Sequence, residues 1–270
     1  MTKVTTSSSK SSTNSARTAL SNLFGPAPGS MLPGDPPGHL FCDCNFTLAG
    51  ESVFSLICEL TMTRTLKPLI LNTSALTLTL ILIYTGISAH DKLTWLMEVT
   101  PVIIVVQLLL ATARRYPLTP LLYTLIFLHA IILMVGGQYT YAKVPVGFEV
   151  QEWLGLSRNP YDKLGHFFQG LVPALVAREI LVRGMYVRGR KMVAFLVCCV
   201  ALAISAMYEL IEWWAALAMG QGADDFLGTQ GDQWDTQSDM FCALLGALTT
   251  VIFLARFHCR QLRRFGLITG

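Results

Sequence analysis

The sequence predicts an all-α, polytopic membrane helix bundle with about six transmembrane helices, and three observations carry that prediction. Hydrophobic residues make up 53 % of the 270 residues and charged residues only 14 %, against about 25 % charged in soluble chains. Mean hydropathy is +0.51. From residue 68 onward the apolar residues gather in runs near the roughly 20 residues that cross a hydrocarbon core. Period-2 alternation of the barrel type is absent. A helix satisfies its own backbone amides, which lipid cannot do for it.

The first 60 residues stand apart. They are rich in Ser, Thr, Gly and Pro, carry Lys3, Lys10 and Arg17, and hold no acid before Asp35. Such a composition buries too little apolar surface to offset ordering entropy, so residues 1–60 read as a disordered tail. The same features fit an organelle transit peptide. No apolar run of a cleavable secretory signal is visible. Cys42 and Cys44 form a lone CxC without the second pair that a zinc site requires. Cys198, Cys199 and Cys242 lie inside apolar runs, where a thiol behaves as a small hydrophobe.

The predicted spans are 68–88, 93–113, 118–137, 162–182, 192–217 and 236–255, within a membrane domain of residues 61–258 followed by a basic tail, 259–270. The fourth span is the least apolar and the easiest to miss by hydropathy. Arg64 and Lys67 precede the first span, Arg114 and Arg115 join the second to the third, and Arg183, Arg188, Arg190 and Lys191 join the fourth to the fifth. Arg256, Arg260, Arg263 and Arg264 follow the sixth. All of these fall on one side, so the positive-inside rule puts both termini in the cytoplasm, or in the matrix or stroma if the tail is a transit peptide. A net charge of +3 gives no ground for a nucleic-acid partner; the expected partners are the bilayer and a lipid or envelope small molecule.

Polar residues then converge on the other face. In "YDKLGHFFQG", Asp162, His166 and Gln169 share one helix face at i, i+4 and i+7. Glu209 stands 17 residues after Met192, about 25 Å across at 1.5 Å per residue. Glu212 follows one turn on, with Tyr208 beside them. Asp235 sits at the lip of the last span and Asp239 one turn down on the same face. Glu98 lies about a turn into the second span, and Tyr139, Thr140 and Tyr141 follow the Gly136–Gly137 pair that ends the third. An ionisable group within a bilayer is costly unless paired, wetted or metal-bound. A shared polar pocket open to the non-cytoplasmic side is therefore expected, lined by Glu98, Tyr139, Tyr141, Asp162, Gln169, Tyr208 and Glu212.

Carboxylates with one imidazole suit a divalent metal ion such as Zn²⁺, Mn²⁺, Fe or Mg²⁺. His166, Glu209, Asp235 and Asp239 are the candidate ligands. Glu209 and Asp235 are the candidate catalytic residues for metal-assisted hydrolysis. No HExxH or EF-hand spacing is present. Two other readings stay open: a proton- or ion-coupled transporter, and a non-catalytic clamp in which Lys163 neutralises the acids and the helices lock in register. The cluster's position near one face and the lack of an inverted repeat count against transport. Glu179 is expected to pair with Arg178 or Arg183, and His129 to hydrogen-bond between helices. Trp153, Trp213, Trp214 and Trp234 are expected to form an aromatic belt, with Trp213 and Trp214 as alternative pocket walls.

Four stretches carry a resemblance: "HAIILMVGGQYTYAKVPVG", "RNPYDKLGHFFQGLVPALVAREILVR", "ALAISAMYELIEWWAAL" and "GTQGDQWDTQSDMFCALLGAL". Together they resemble the YjdF family of bacterial inner-membrane proteins, grouped under a domain of unknown function. The likeness spans roughly residues 69–255 and implies a bacterial inner-membrane location. A looser likeness is to VanZ-like membrane proteins, through the order Asp162, Lys163 and His166, then Ser205 and Glu209, then Asp235 and Asp239. Neither resemblance implies a reaction.

Overall fold

A computed structural model describes residues 66–219 and 230–268. The N-terminal tail, Cys42, Cys44 and most of the Gly-rich loop before Gln230 lie outside the described residues. Those residues are helical, and no strand occurs among them. In chain order the helices are α1 (Leu66–Ser88), α2 (Lys92–Thr112), α3 (Pro120–Gln138), α4 (Pro145–Leu154), α5 (Tyr161–Arg183), α6 (Arg190–Met219), α7 (Asp235–Thr249) and α8 (Ala255–Arg264). A π-helical turn, Thr250–Leu254, joins α7 to α8, so the chain crosses in one rod from Asp235 to Arg264.

Five rods are long and apolar enough to cross a membrane: α1, α2, α3, α6 and the α7–α8 rod. The sixth long helix, α5, has 23 residues, as many as α1, but fails on polarity. Its surroundings explain this. α5 packs against α3, α6 and α7 and buries 13 of its 23 residues, Asp162, His166, Gln169, Arg178 and Glu179 among them. A helix solvated by protein has no need of an apolar exterior. The outer helices show the opposite pattern: Leu76, Leu80 and Ile83 of α1, Leu108 and Leu110 of α2 and Phe195 of α6 are exposed.

Glycine brings α5 and α7 together. A Cβ on Gly170 would collide with the Ala243 carbonyl, and one on Gly246 with the Phe167 carbonyl. Small residues at such a crossing let two backbones touch, which raises dispersion contact where no hydrophobic force favours association. Apolar clusters fill the layer beyond. Leu121, Leu122, Ile126, Leu171, Val172 and Leu175 join α3 to α5. Ala174, Val182, Val197, Ala201, Ala247 and Leu262 join α5 to α6 and the last rod.

The segment "HDK" is a double cap. Asp91 Oδ1 accepts from the Thr94 backbone N–H at 2.6 Å and starts α2. Lys92 Nζ donates to the Gly86 and Ile87 carbonyls, both at 2.7 Å, and finishes α1. The Thr94 backbone N–H holds the Asp91 carboxyl below the usual carboxylate range.

Between α3 and α5, where the sequence reads as loop, the chain forms α4. It exposes Val146, Phe148, Trp153 and Leu154, as an interfacial helix does. Buried Asn159 pins it by donating to the Val144 carbonyl at 3.0 Å, while its Oδ1 accepts from the Tyr161 N–H at 3.0 Å. Trp213, Trp214 and Trp234 are more than half exposed, as Trp153 is. They are turned outward and do not line the interior cavity.

Two changes test this account. Gly246→Val should lower stability by about 1–3 kcal/mol through overpacking, read as a drop in melting temperature in detergent, whereas the exposed Leu108→Val should be near neutral. Asp91→Ala should cost about 1 kcal/mol. Because the folded carboxyl titrates low, that contribution is present at neutral pH and fades as pH falls through the lowered value; melts of wild type and variant should converge at acid pH.

Candidate functional site

The ends of four rods and the loops between them build a polar site on one face. It takes the start of α5, the start of α7, the early part of α2 and the late part of α6, with Tyr141 folding over from the end of α3. Two glycines make room for this. A Cβ on Gly136 would collide with the Tyr141 ring, and one on Gly137 would come within 2.9 Å of Glu98 Cβ. Thr140 and Tyr141 adopt positive φ, +52° and +49°, which turns the chain back over the helix end.

At the centre, His166 is buried on the inner face of α5. Its Nδ1 lies 2.9 Å from Gln169 Oε1 and donates to it when that nitrogen carries the proton. In the neutral ring Nε2 then presents its lone pair, as a metal-ligating imidazole does. Nε2 faces Asp162 Oδ1 at 3.5 Å and Asp239 Oδ1 at 3.9 Å. Asp162 Oδ2 is buried and accepts no hydrogen bond. Asp162, His166 and Asp239, all buried, each offer one ligand atom, and these atoms lie within 4.8 Å of one another.

Around this centre the acids are sorted by partner. Lys163 Nζ donates to Asp235 Oδ1 at 2.6 Å, Ser238 Oγ at 2.6 Å and Asp239 Oδ1 at 2.7 Å. Arg158 Nη2 sits 2.6 Å from Asp235 Oδ1 and 3.7 Å from Asp162 Oδ2, while Nη1 reaches Asp232 at 3.4 Å. Glu98, 2 % exposed, accepts the Tyr208 hydroxyl at 2.7 Å. Glu209 Oε1 stands 3.7 Å from His166 Nδ1 and is buried without a hydrogen bond. A cavity of about 20 Å³ lies beside His166, lined by Glu98, Tyr141, Asp162, Gln169, Tyr208 and Glu212 among others. That is far below the roughly 300–1,000 Å³ of clefts that enclose drug-sized ligands and is about the space of one water, so an ion, a water or the tip of a larger molecule fits, not a whole lipid.

Several sequence expectations change in detail. Asp235, expected as a ligand and catalytic acid, is held by two cations at 2.6 Å and stands outside the compact ligand group. Asp162 takes that place, because one helical turn puts its carboxyl against His166 Nε2. Glu209 touches the other ring nitrogen. Tyr139 caps α3 and packs against the Tyr141, Val144 and Tyr161 cluster, whereas Tyr141 lines the cavity. His129 does not hydrogen-bond through Nε2; its ring lies 6.2 Å from Phe168.

Two further features escape a reading by spacing. Arg158 precedes α5, outside any span, and reaches the site only because α7 starts beside it. At the opposite end of α5 lies a second buried network. Arg178 Nη1 donates to His258 Nδ1 at 2.7 Å, and His258 Nε2 donates to Glu179 Oε2 at 2.8 Å. The Thr119 hydroxyl and Arg183 also donate to Glu179, at 2.8 and 2.9 Å. Gln261 Oε1 accepts from the Leu121 N–H at 3.1 Å, capping α3 from the last rod. Glu179 thus takes Arg183, one of its two expected partners, together with a His 79 residues away in sequence.

Lys163 is the cation on which the acid pairs depend. Lys163→Met should destabilise the protein by a few kcal/mol, since it strands Asp239 and leaves Asp235 to Arg158 alone. Adding Asp239→Asn should recover part of that loss, and a double-mutant cycle in detergent melts would measure the coupling. Additive losses would mean that the pair does not interact.

No solved structure matches the chain. A family model described as "Predicted membrane protein (DUF2238)" matches residues 70–260, which include α2 to α7, most of α1, the first part of α8 and every residue of the site, and the YjdF name fits that family. The chain therefore belongs to this family of membrane proteins of unknown function.

Proposed function

We propose that the Asp162–His166–Asp239 group binds a divalent metal ion and that the pocket beside it acts on a lipid headgroup or another envelope molecule. One observation carries the reading. His166 Nε2 and two carboxylates surround a gap 3.5–3.9 Å wide, long for direct hydrogen bonds, and with the ring neutral it suits a cation between them. The donor set of two oxygens and one nitrogen fits Zn²⁺, Mn²⁺ or Fe²⁺, and Mg²⁺ with added waters. Gln169 supports the ring from behind, as a second-shell carbonyl does for a metal-bound imidazole. Lys163 and Arg158 fix the carboxylates around the gap.

A bound ion would supply Lewis acidity and an activated water. Glu209 Oε1, buried and unbonded 3.7 Å from Nδ1, stands across the ring from the gap and would act on the ion through His166. The Glu98–Tyr208 pair lines the cavity and would orient a polar headgroup. By the positive-inside rule this face is the non-cytoplasmic one and the basic C-terminal end is cytoplasmic, in the bacterial inner membrane if the family likeness holds for location.

A second reading rests on the Lys163 and Arg158 pairs. They neutralise Asp235 and Asp239 without any ion, so the cluster also works as an inter-helix clamp. Elemental analysis of the detergent-purified protein separates the two. Wild type should carry near-stoichiometric metal that is lost in His166→Ala and Asp239→Asn, while Glu209→Gln keeps metal and fold but loses turnover on lipid phosphates or esters. A stable, folded, metal-free wild type that survives chelation unchanged in melting temperature would leave the clamp.

A further inference from the structure

At the end of the bundle away from the candidate metal site, α5, α6 and the π-helical turn leave a crevice of about 410 Å³. Its walls are small and apolar, with Ala194 and Val197 from α6 and Val251 from the π turn. Arg178, Arg190 and Lys191 stand along it, and among the described residues no carboxylate lines it. The nearest buried acid, Glu179, is occupied by His258, Thr119 and Arg183. The π turn widens the last rod where Val251 faces the crevice, a distortion frequent at functional sites. Arg190 opens α6, whose first backbone N–H groups have no intrahelical acceptor and favour an anion.

We propose that this crevice holds one anionic phospholipid, its phosphate between Arg190 and Lys191 at the start of α6 and an acyl chain against Ala194, Val197 and Val251. An apolar groove between helices stays dry unless a hydrocarbon fills it. Cations at its mouth without a lining acid select a negative headgroup. A zwitterionic lipid offers the same chain with a compensated headgroup and gains less. This site is independent of the metal site, since the two lie at opposite ends of α5.

Native mass spectrometry of the full chain in mixed micelles tests it, using phosphatidylglycerol and phosphatidylcholine with the same acyl chains. Wild type should retain phosphatidylglycerol roughly tenfold or more over phosphatidylcholine, given about 1 kcal/mol per basic residue at a lipid surface. The surface variant Arg190→Gln/Lys191→Gln should bring the two lipids to parity. Ala194→Phe should lower phosphatidylglycerol retention with both charges intact, and Asp239→Asn should leave it unchanged. Equal retention of both lipids by wild type, or unchanged selectivity in the double variant, would overturn the proposal. So would displacement of the lipid by equimolar glycerol 3-phosphate, which would mark a site for free phosphate. A lipid-free wild type that dimerises would put a second copy in the crevice and overturn it equally.

Discussion

Where α5 and α7 cross, Gly170 lies against the Ala243 carbonyl and Gly246 against the Phe167 carbonyl, and neither position has room for a Cβ. Lipid gives two helices no hydrophobic reason to associate, so contact of this closeness must come from packing and from polar bonds that close packing permits. The crossing places the first turns of both helices side by side. Lys163 of α5 can then reach Asp235, Ser238 and Asp239 of α7 in one span of hydrogen bonds. A methyl group at either glycine would push apart the carboxylates that meet around His166.

α5 is consequently a helix dissolved in protein. Its polar residues fall into two layers, one near Asp162 and His166 and one near Arg178 and Glu179, with Leu171, Val172, Ala174 and Leu175 between. Each layer answers the same physical demand, that a buried charge be paired and hydrogen-bonded. They answer it differently. Around Glu179 the donors Thr119, Arg183 and His258 close on the carboxylate at 2.8–2.9 Å, which is the geometry of a finished structural knot. Around His166 the contacts lengthen to 3.5–3.9 Å and leave buried carboxylate oxygens without hydrogen bonds. The looser layer adjoins a cavity, and a ligand is the natural means of completing it.

The bilayer is written on the outside of the same rods. α1 and α2 turn Leu and Ile outward, while Trp153, Trp213, Trp214 and Trp234 stand exposed. α4 lies between them with its apolar side chains uncovered.

Composition and hydropathy by themselves determined the class of this protein, because lipid imposes a length and an apolarity that a linear sequence records directly. They also determined the common depth of Glu98, His166, Glu209 and Asp239, since rise per residue converts sequence position into height. Tertiary structure alone decided the partners. Spacing places Asp235 and Asp239 on one face of α7 but does not say that Arg158 and Lys163 claim Asp235, leaving Asp162 to stand beside His166. Nor does it distinguish Tyr139, which caps a helix, from Tyr141, which a positive φ swings into the cavity. The Glu179–His258 contact joins residues 79 apart, and no local period encodes it. Depth in a membrane is a one-dimensional quantity carried by the chain, whereas rotation about each helix axis is set by the packing of neighbours, and that rotation chooses which side chains meet.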